Sequence, residues 1–142
     1  MADTRMSQSE RERFLAALHV GVLSIPNPNG APLAVPIWYA YQPGGEIEVL
    51  TGPTSQKGRL LAEGVPVTLV AQQEALPYKY VSVEGTVSRI RPGTHEDTLN
   101  MAVRYLGDAQ GRGYADANAG NTSVLVSIRP ERWLTVDYGK AT

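Results

Sequence analysis

Fourteen glycines and ten prolines punctuate this chain, and most of them stand between short apolar runs rich in β-branched residues. Glycine and proline end regular elements and supply turns, so this punctuation describes a β-rich fold built from short strands. Strands are expected at residues 20–25, 33–41 and 47–51, separated by the turn Pro26-Asn27-Pro28-Asn29-Gly30 and a second turn at residues 42–45. Consecutive strands with short turns read as a meander. Further strands are expected at residues 67–72, 80–90, 124–128 and 133–138, with a Pro130 turn between the last two. In residues 80–90, Val81, Val83, Val87 and Ile90 alternate with polar residues, but the alternation slips between Val87 and Ile90. Gly85 marks a bulge or a barrel corner there.

Helical signals fall between these runs. Ser7 and Ser9 each stand three residues before a glutamate, so either forms a capping box for a helix running to about Leu18. Its expected buried stripe is Phe14, Leu15 and Leu18. Thr54 and Ser55 open a second helix that Gly64 closes. Thr94 with Asp97 caps a third, in which Leu99, Ala102, Val103 and Leu106 keep helical spacing up to Gly107. Residues 108–122, rich in Gly, Ala, Asn and Asp, fit a short helix, a lid or a dimer contact. The sum is a mainly β (α+β) single domain over residues 1–142. About six to seven antiparallel strands with two to three short helices point to a β-barrel with the helices packed on its outside.

Composition narrows the function. Acids and bases nearly balance, at a formal net charge of −1, which argues against a nucleic-acid partner. No apolar run is long enough to span a bilayer, so no membrane partner is expected. Residues 1–12 are polar and lack the apolar core of a signal peptide, which makes a cytoplasmic protein the default. With no cysteine, disulfides and thiolate chemistry are excluded. His19 and His95 have no carboxylate cluster at ligand spacing, so no metal site is expected.

Three segments carry the candidate chemistry. The first runs from Thr51 and Gly52 through Ser55 to Lys57 and Arg59. Its cations oppose the helix macrodipole, and with free N–H groups and hydroxyls they would suit a phosphate. Read alone, such a pair of cations is more often two solvated side chains. The second is Val35-Pro36-Ile37-Trp38, where a proline inside a strand marks an edge or a place where something else lies alongside. With Tyr39 and Tyr41 following, a flat ring would stack there; the alternative is aromatics in a barrel core. In the third, Lys79 between Tyr78 and Tyr80 reaches a second anion or snorkels at a barrel rim.

Taken in order, Gly21-Val22-Leu23-Ser24, Asn29-Gly30, Val35-Pro36-Ile37-Trp38, Thr51-Gly52 with Ser55, Lys57 and Arg59, Pro77-Tyr78-Lys79-Tyr80-Val81 to Glu84-Gly85, and Arg104-Tyr105-Leu106 show a resemblance. The chain resembles the pyridoxamine 5′-phosphate oxidase-like split β-barrel proteins, and within them the flavin/deazaflavin oxidoreductases. The resemblance implies a homodimer with cofactor sites at the subunit interface. It implies that residues 35–38 lie along the ring and that Thr51, Ser55 and Lys57 bind phosphate. Tyr80 would approach the cofactor, and Trp133 would come from the partner subunit. Vitamin B6 phosphate oxidation is not expected, because Gln56 stands where those oxidases have arginine before the lysine, and no C-terminal Arg-x-His follows. The expected cofactor is coenzyme F420, with FMN as the alternative. The expected activity is reduction of a small unsaturated or conjugated substrate, with Arg59 assisting at the phosphate and Lys79 drawing the acidic tail of the coenzyme. The rival readings are an FMN-dependent enzyme and a non-catalytic flavin, haem or lipid binder.

Overall fold

Ser7 does open the first helix. Its hydroxyl accepts from the Glu10 N–H while the Glu10 carboxylate accepts from the Ser7 N–H, at 3.2 and 2.7 Å. The structure, a computed structural model, describes residues 2–141. Its elements run α1 (Gln8–Ala16), β1 (Gly21–Ile25), β2 (Leu33–Ile37), β3 (Ile47–Thr51), α2 (Gln56–Leu60), β4 (Pro66–Gln73), β5 (Lys79–Pro92), α3 (His95–Leu106), α4 (Asp108–Ala117) and β6 (Val124–Asp137), then a 3-10 turn, Tyr138–Lys140. Six antiparallel strands form one curled sheet in the order β2-β1-β4-β5-β6-β3. A bridge between Ala40, just past β2, and Glu48 of β3 brings the two ends of that order together. The result is an α+β split barrel with four short α-helices: the β-barrel expected from the punctuation, in the split form that the resemblance implies.

Strand alternation supplies the core. Leu23 and Ile25 of β1, Val49 of β3, Leu69 of β4, Val81, Val83 and Val87 of β5 and Ile128 of β6 are all buried on one face of the sheet. Each such side chain contributes on the order of 1.5–3 kcal/mol. The long strands β5 and β6 pair along their whole length, with register shifts at Glu84/Gly85 and Val87/Arg89. These are the bulge at Gly85 and the slip after Val87 that the alternation of residues 80–90 announced. A Cβ on Gly85 would lie 2.5 Å from the Arg129 carbonyl oxygen and 2.8 Å from Ile128 Cγ2, so only glycine fits. The bend lets each long strand serve twice. The first half of β5 carries β4, and the first half of β6 carries β3.

Several expectations are corrected. The first three strands are not a meander, because β3 pairs with β6 and meets the β2 segment only at the Ala40–Glu48 bridge. The reason lies past Ile37, where the Tyr39 N–H donates to the Tyr105 hydroxyl of α3 instead of to a neighbouring strand. The last two strands are one continuous strand, and Pro130 faces Gly85 at the bulge instead of making a turn. There the ladder is already interrupted, so the missing proline N–H costs little. The first helix ends at Ala16, where Ala17 turns extended, which leaves Leu18 56% exposed. The second helix is only Gln56–Leu60, capped by Ser55 and ended at Leu61; Gly64, at φ +88°, serves the turn into β4. Of the three readings open for residues 108–122, the short helix forms, as α4 over Asp108–Ala117.

Candidate functional site

The turn from β3 into α2 is organised by one hydroxyl. Ser55 Oγ donates to the Gly52 carbonyl at 2.8 Å, accepts from the Gly58 N–H at 3.1 Å, and lies 3.0 Å from Thr51 Oγ1. A Cβ on Gly58 would collide with the Gly52 carbonyl, so this tight approach also requires glycine. The turn carries Lys57 half-buried, and Lys57 pairs with no acid among the described residues. Ser55 is thus occupied in holding the loop, while the Lys57 ammonium remains available.

Across from this turn stands an aromatic wall anchored by α3. Trp38 stacks on Tyr105 at a centroid distance of 5.0 Å and 5° between planes, and meets Tyr114 of α4 at 5.5 Å and 51°. The Tyr105 hydroxyl accepts from the Tyr39 N–H at 3.0 Å and donates to the His19 carbonyl at 2.7 Å. Arg104 Nε donates to the Tyr39 carbonyl at 3.0 Å, and its terminal nitrogen to the Ala17 carbonyl at 3.1 Å. Arg104 and Tyr105 therefore hold the peptide that follows Trp38. Beneath them the Tyr39 hydroxyl donates to the Leu15 carbonyl at 2.7 Å, and burial raises its pKa well above the usual phenol value. His19, stacked on Phe14 at 4.4 Å, has its pKa lowered chiefly by burial.

Between turn and wall lies a cleft of ≈ 940 Å³. That is near the upper end for a small-molecule site. Pro36, Ile37 and Trp38 line it with Thr51, Gly52 and Lys57, so the structure brings two of the three candidate segments together. Val35 is one step back in β2, Ser55 lies behind Thr51, and Arg59 points to solvent further along α2. The third segment is elsewhere. Lys79 lies 3.8 Å from Asp137, and Tyr80 pairs with Gln72 and Val136 on the outer face of the sheet. Trp133 packs inward beneath the Arg11 guanidinium, 4.7 Å from its ring centroid, with Tyr41 edge-on at 6.3 Å.

The sequence reading missed the far wall: Thr98, Met101 and Ala102 of α3, and Tyr114, Asn118, Asn121, Thr122 and Ser123 beyond. The α3 part had a signal in its helical spacing. The α4 part had none, because glycines and alanines do not reveal which side chain a helix pair will project. Among the described residues Lys57 is the single charged one of the lining, so the cleft is cationic at one end and uncharged elsewhere. Such a site can hold an anionic group at the turn and a flat apolar body against the aromatic wall.

The profile of the pyridoxamine 5′-phosphate oxidase family matches residues 7–137. The chain belongs to this family. Among solved structures, this family member is similar to a conserved hypothetical protein from Mycobacterium tuberculosis, at 25% identity and TM-score 0.76, covering 99% of this chain and 91% of that one. It is similar to an F420 reductase at 26% identity and TM-score 0.69, covering 87% and 94%. An FAD-binding protein from Mesorhizobium loti shares the fold at 21% identity and TM-score 0.59, covering 92% and 94%. A search of curated proteins finds no match. The fold is that of flavin-type oxidoreductases. No helix among the described residues is long and apolar enough to cross a membrane, and no group of three metal-ligating side chains occurs among them.

Proposed function

We propose that the chain is an oxidoreductase that holds the deazaflavin coenzyme F420 in the 940 Å³ cleft and reduces a small unsaturated or conjugated molecule there. The observation that carries this is Lys57. It is the only charged residue lining the cleft, it has no acidic partner among the described residues, and it faces a proline-bearing edge strand with an aromatic wall behind. An unpaired cation on a rigid turn suits the cofactor phosphate, and the flat surface at residues 36–38 suits its ring. The likeness to an F420 reductase supports the deazaflavin over FMN. When bound, the cofactor supplies the hydride chemistry. Lys57 and Thr51 hold the phosphate, Ser55 fixes the loop that presents them, and residues 35–38 orient the ring.

The same reading includes a homodimer. On the outer face of the sheet, Pro36, Val22, Val70, Ser82 and Leu134 form one row across five strands. Val22 and Leu134 in this row are 41% and 61% exposed, and neighbouring Val20 is 54% exposed. An apolar band of this kind marks an interaction surface. Val20 and Pro36 also line the cleft, so a second copy seated on the band would cover the cleft mouth and meet Tyr80 on the same face.

Titration of the purified protein with F420, FMN and haem, read by fluorescence and absorbance, tests the proposal. F420 binding is expected, and Lys57→Ala weakens it by about 1.5–3 kcal/mol, the scale of a charge-assisted hydrogen bond. Tight FMN binding without F420 binding overturns the deazaflavin assignment. Failure of reduced F420 to turn over across a panel of enones leaves a carrier instead of an enzyme.

A further inference from the structure

We infer that Tyr114, Asn118 and Asn121 select the substrate, and that they select an uncharged, flat molecule with a carbonyl-type acceptor on its edge. The inference rests on the proposed function in one respect: the Lys57 end of the cleft is taken by the cofactor phosphate, leaving the α4 wall to the substrate.

The wall is built by close helix packing. A Cβ on Gly111 would lie 2.6 Å from Val103 Cα and N, so only glycine lets α4 approach α3 this closely, with Ala115 buried beside it. Tyr114, between these two on α4, is thereby set with its ring tilted against Trp38. The two ring faces offer a flat body a surface to stack on. The Tyr114 hydroxyl has no partner among the described residues, and the residue is 43% exposed.

A two-amide relay then fixes the polar edge. Asn118 Nδ2 donates to the Tyr114 carbonyl at 2.8 Å, and Asn121 Nδ2 donates to Asn118 Oδ1 at 2.7 Å. The amide oxygen of Asn118 and one of its N–H groups are therefore used within the protein. What Asn118 still offers is its second N–H, a donor held in a fixed direction. A ligand carbonyl satisfies that donor. A carboxylate or phosphate at this end would be desolvated with no counter-charge, because no other cation lines the cleft.

Asn118 also closes the α4 C-terminus, so the test must separate binding from capping. Protein carrying Lys57→Ala, which removes the one cation of the cleft that a carboxylate would otherwise find in the absence of cofactor, is titrated with coumarin (flat, uncharged, one carbonyl), naphthalene (flat, no acceptor) and coumarin-3-carboxylate (charged), followed by proton–nitrogen NMR. Coumarin is expected to shift the side-chain amide signals of Asn118 and Asn121. It should bind about tenfold more tightly than naphthalene, the scale of one hydrogen bond, and more tightly than its carboxylate. Asn118→Leu should erase the preference for coumarin while leaving naphthalene binding unchanged, and Tyr114→Leu should weaken both. The proposal is overturned if coumarin-3-carboxylate binds as well as coumarin, if Asn118→Leu weakens coumarin and naphthalene alike, or if the shifts fall away from residues 114–121. Failure to bind F420 with the coumarin preference intact removes the cofactor reading and leaves the neutral-ligand wall. F420 binding with no coumarin preference does the reverse.

Discussion

Tyr105→Phe isolates the hydroxyl that holds the strand end carrying Trp38. Phenylalanine keeps the ring, so the 5.0 Å stack on Trp38 survives. What disappears is one oxygen that accepts from the Tyr39 N–H at 3.0 Å and donates to the His19 carbonyl at 2.7 Å, with the Tyr39 carbonyl as a second, longer acceptor at 3.0 Å. The His19 carbonyl loses a net contribution of about 1 kcal/mol. The Tyr39 N–H is left without a partner in a half-buried peptide, which costs about 1–2 kcal/mol more. Arg104 still grips the Tyr39 carbonyl, so the segment does not come free altogether. The expected destabilisation is about 2–3 kcal/mol. With a urea m-value of about 1.5–2 kcal/mol/M for a chain of this size, the unfolding midpoint falls by about 1–2 M. Wild type and variant are compared at one protein concentration, since association makes the midpoint concentration-dependent. A destabilisation below about 0.5 kcal/mol would refute the argument, because it would mean that water replaces the hydroxyl at no cost.

Gly85→Ala forces its new methyl against the Arg129 carbonyl at the barrel bend, and about 1–3 kcal/mol is lost, read as a fall in melting temperature of roughly 5–10 °C. Asp97 is held down to about 2 chiefly by its hydrogen bonds to the Arg91 guanidinium, at 2.7 and 3.0 Å. A carboxyl whose folded pKa lies below its ordinary 3.8 adds stability that is complete above that value and lost as pH falls through about 2. Screened by solvent, that contribution is about 1 kcal/mol, and Asp97→Asn removes it together with its share of the acid slope in thermal unfolding. Leu134→Glu places a charge in the apolar band; light scattering should then report a monomer from a wild-type dimer, and an unchanged mass would remove that face as the interface.

What the sequence made legible was local. Ser7 with Glu10, one of the two boxes open for the first helix, and Thr94 with Asp97 are caps whose partners are three residues apart, and both form. The slip after Val87 is visible because one strand carries its own alternation. Pairing partners are another matter. Ile47–Thr51 lies close in sequence to β2 yet pairs with β6, because Tyr105 and Arg104, more than sixty residues away, take the backbone of Tyr39 out of the ladder. Pro130 has the local look of a turn, and only Gly85 opposite it shows that the strand runs on. The resemblance makes Ser55 a phosphate ligand; what the sequence does not show is that its hydroxyl also bonds Gly52 and Gly58, contacts that follow from how tightly the loop folds.

The cleft owes its place to the way the sheet fails to close. β2 and β3 are the end strands of the order, and a fully closed barrel would pair them along their length. Here they meet at one bridge, Ala40 with Glu48, and the rest of both edges stays unpaired by any strand. An open edge invites pairing with another chain unless something covers it. Pro36 removes one donor from the β2 edge, and Trp38 turns the chain away toward α3. On the β3 side, the Ser55-capped turn swings Lys57 back across the gap. The helix pair α3–α4 then roofs the seam without donating a strand, leaving room for a ligand where a further length of ladder would otherwise form. The segments legible as chemistry, residues 35–38 and 51–57, are therefore the same residues that keep the barrel open. The ones that were not legible, on α4, are those that close the space over it.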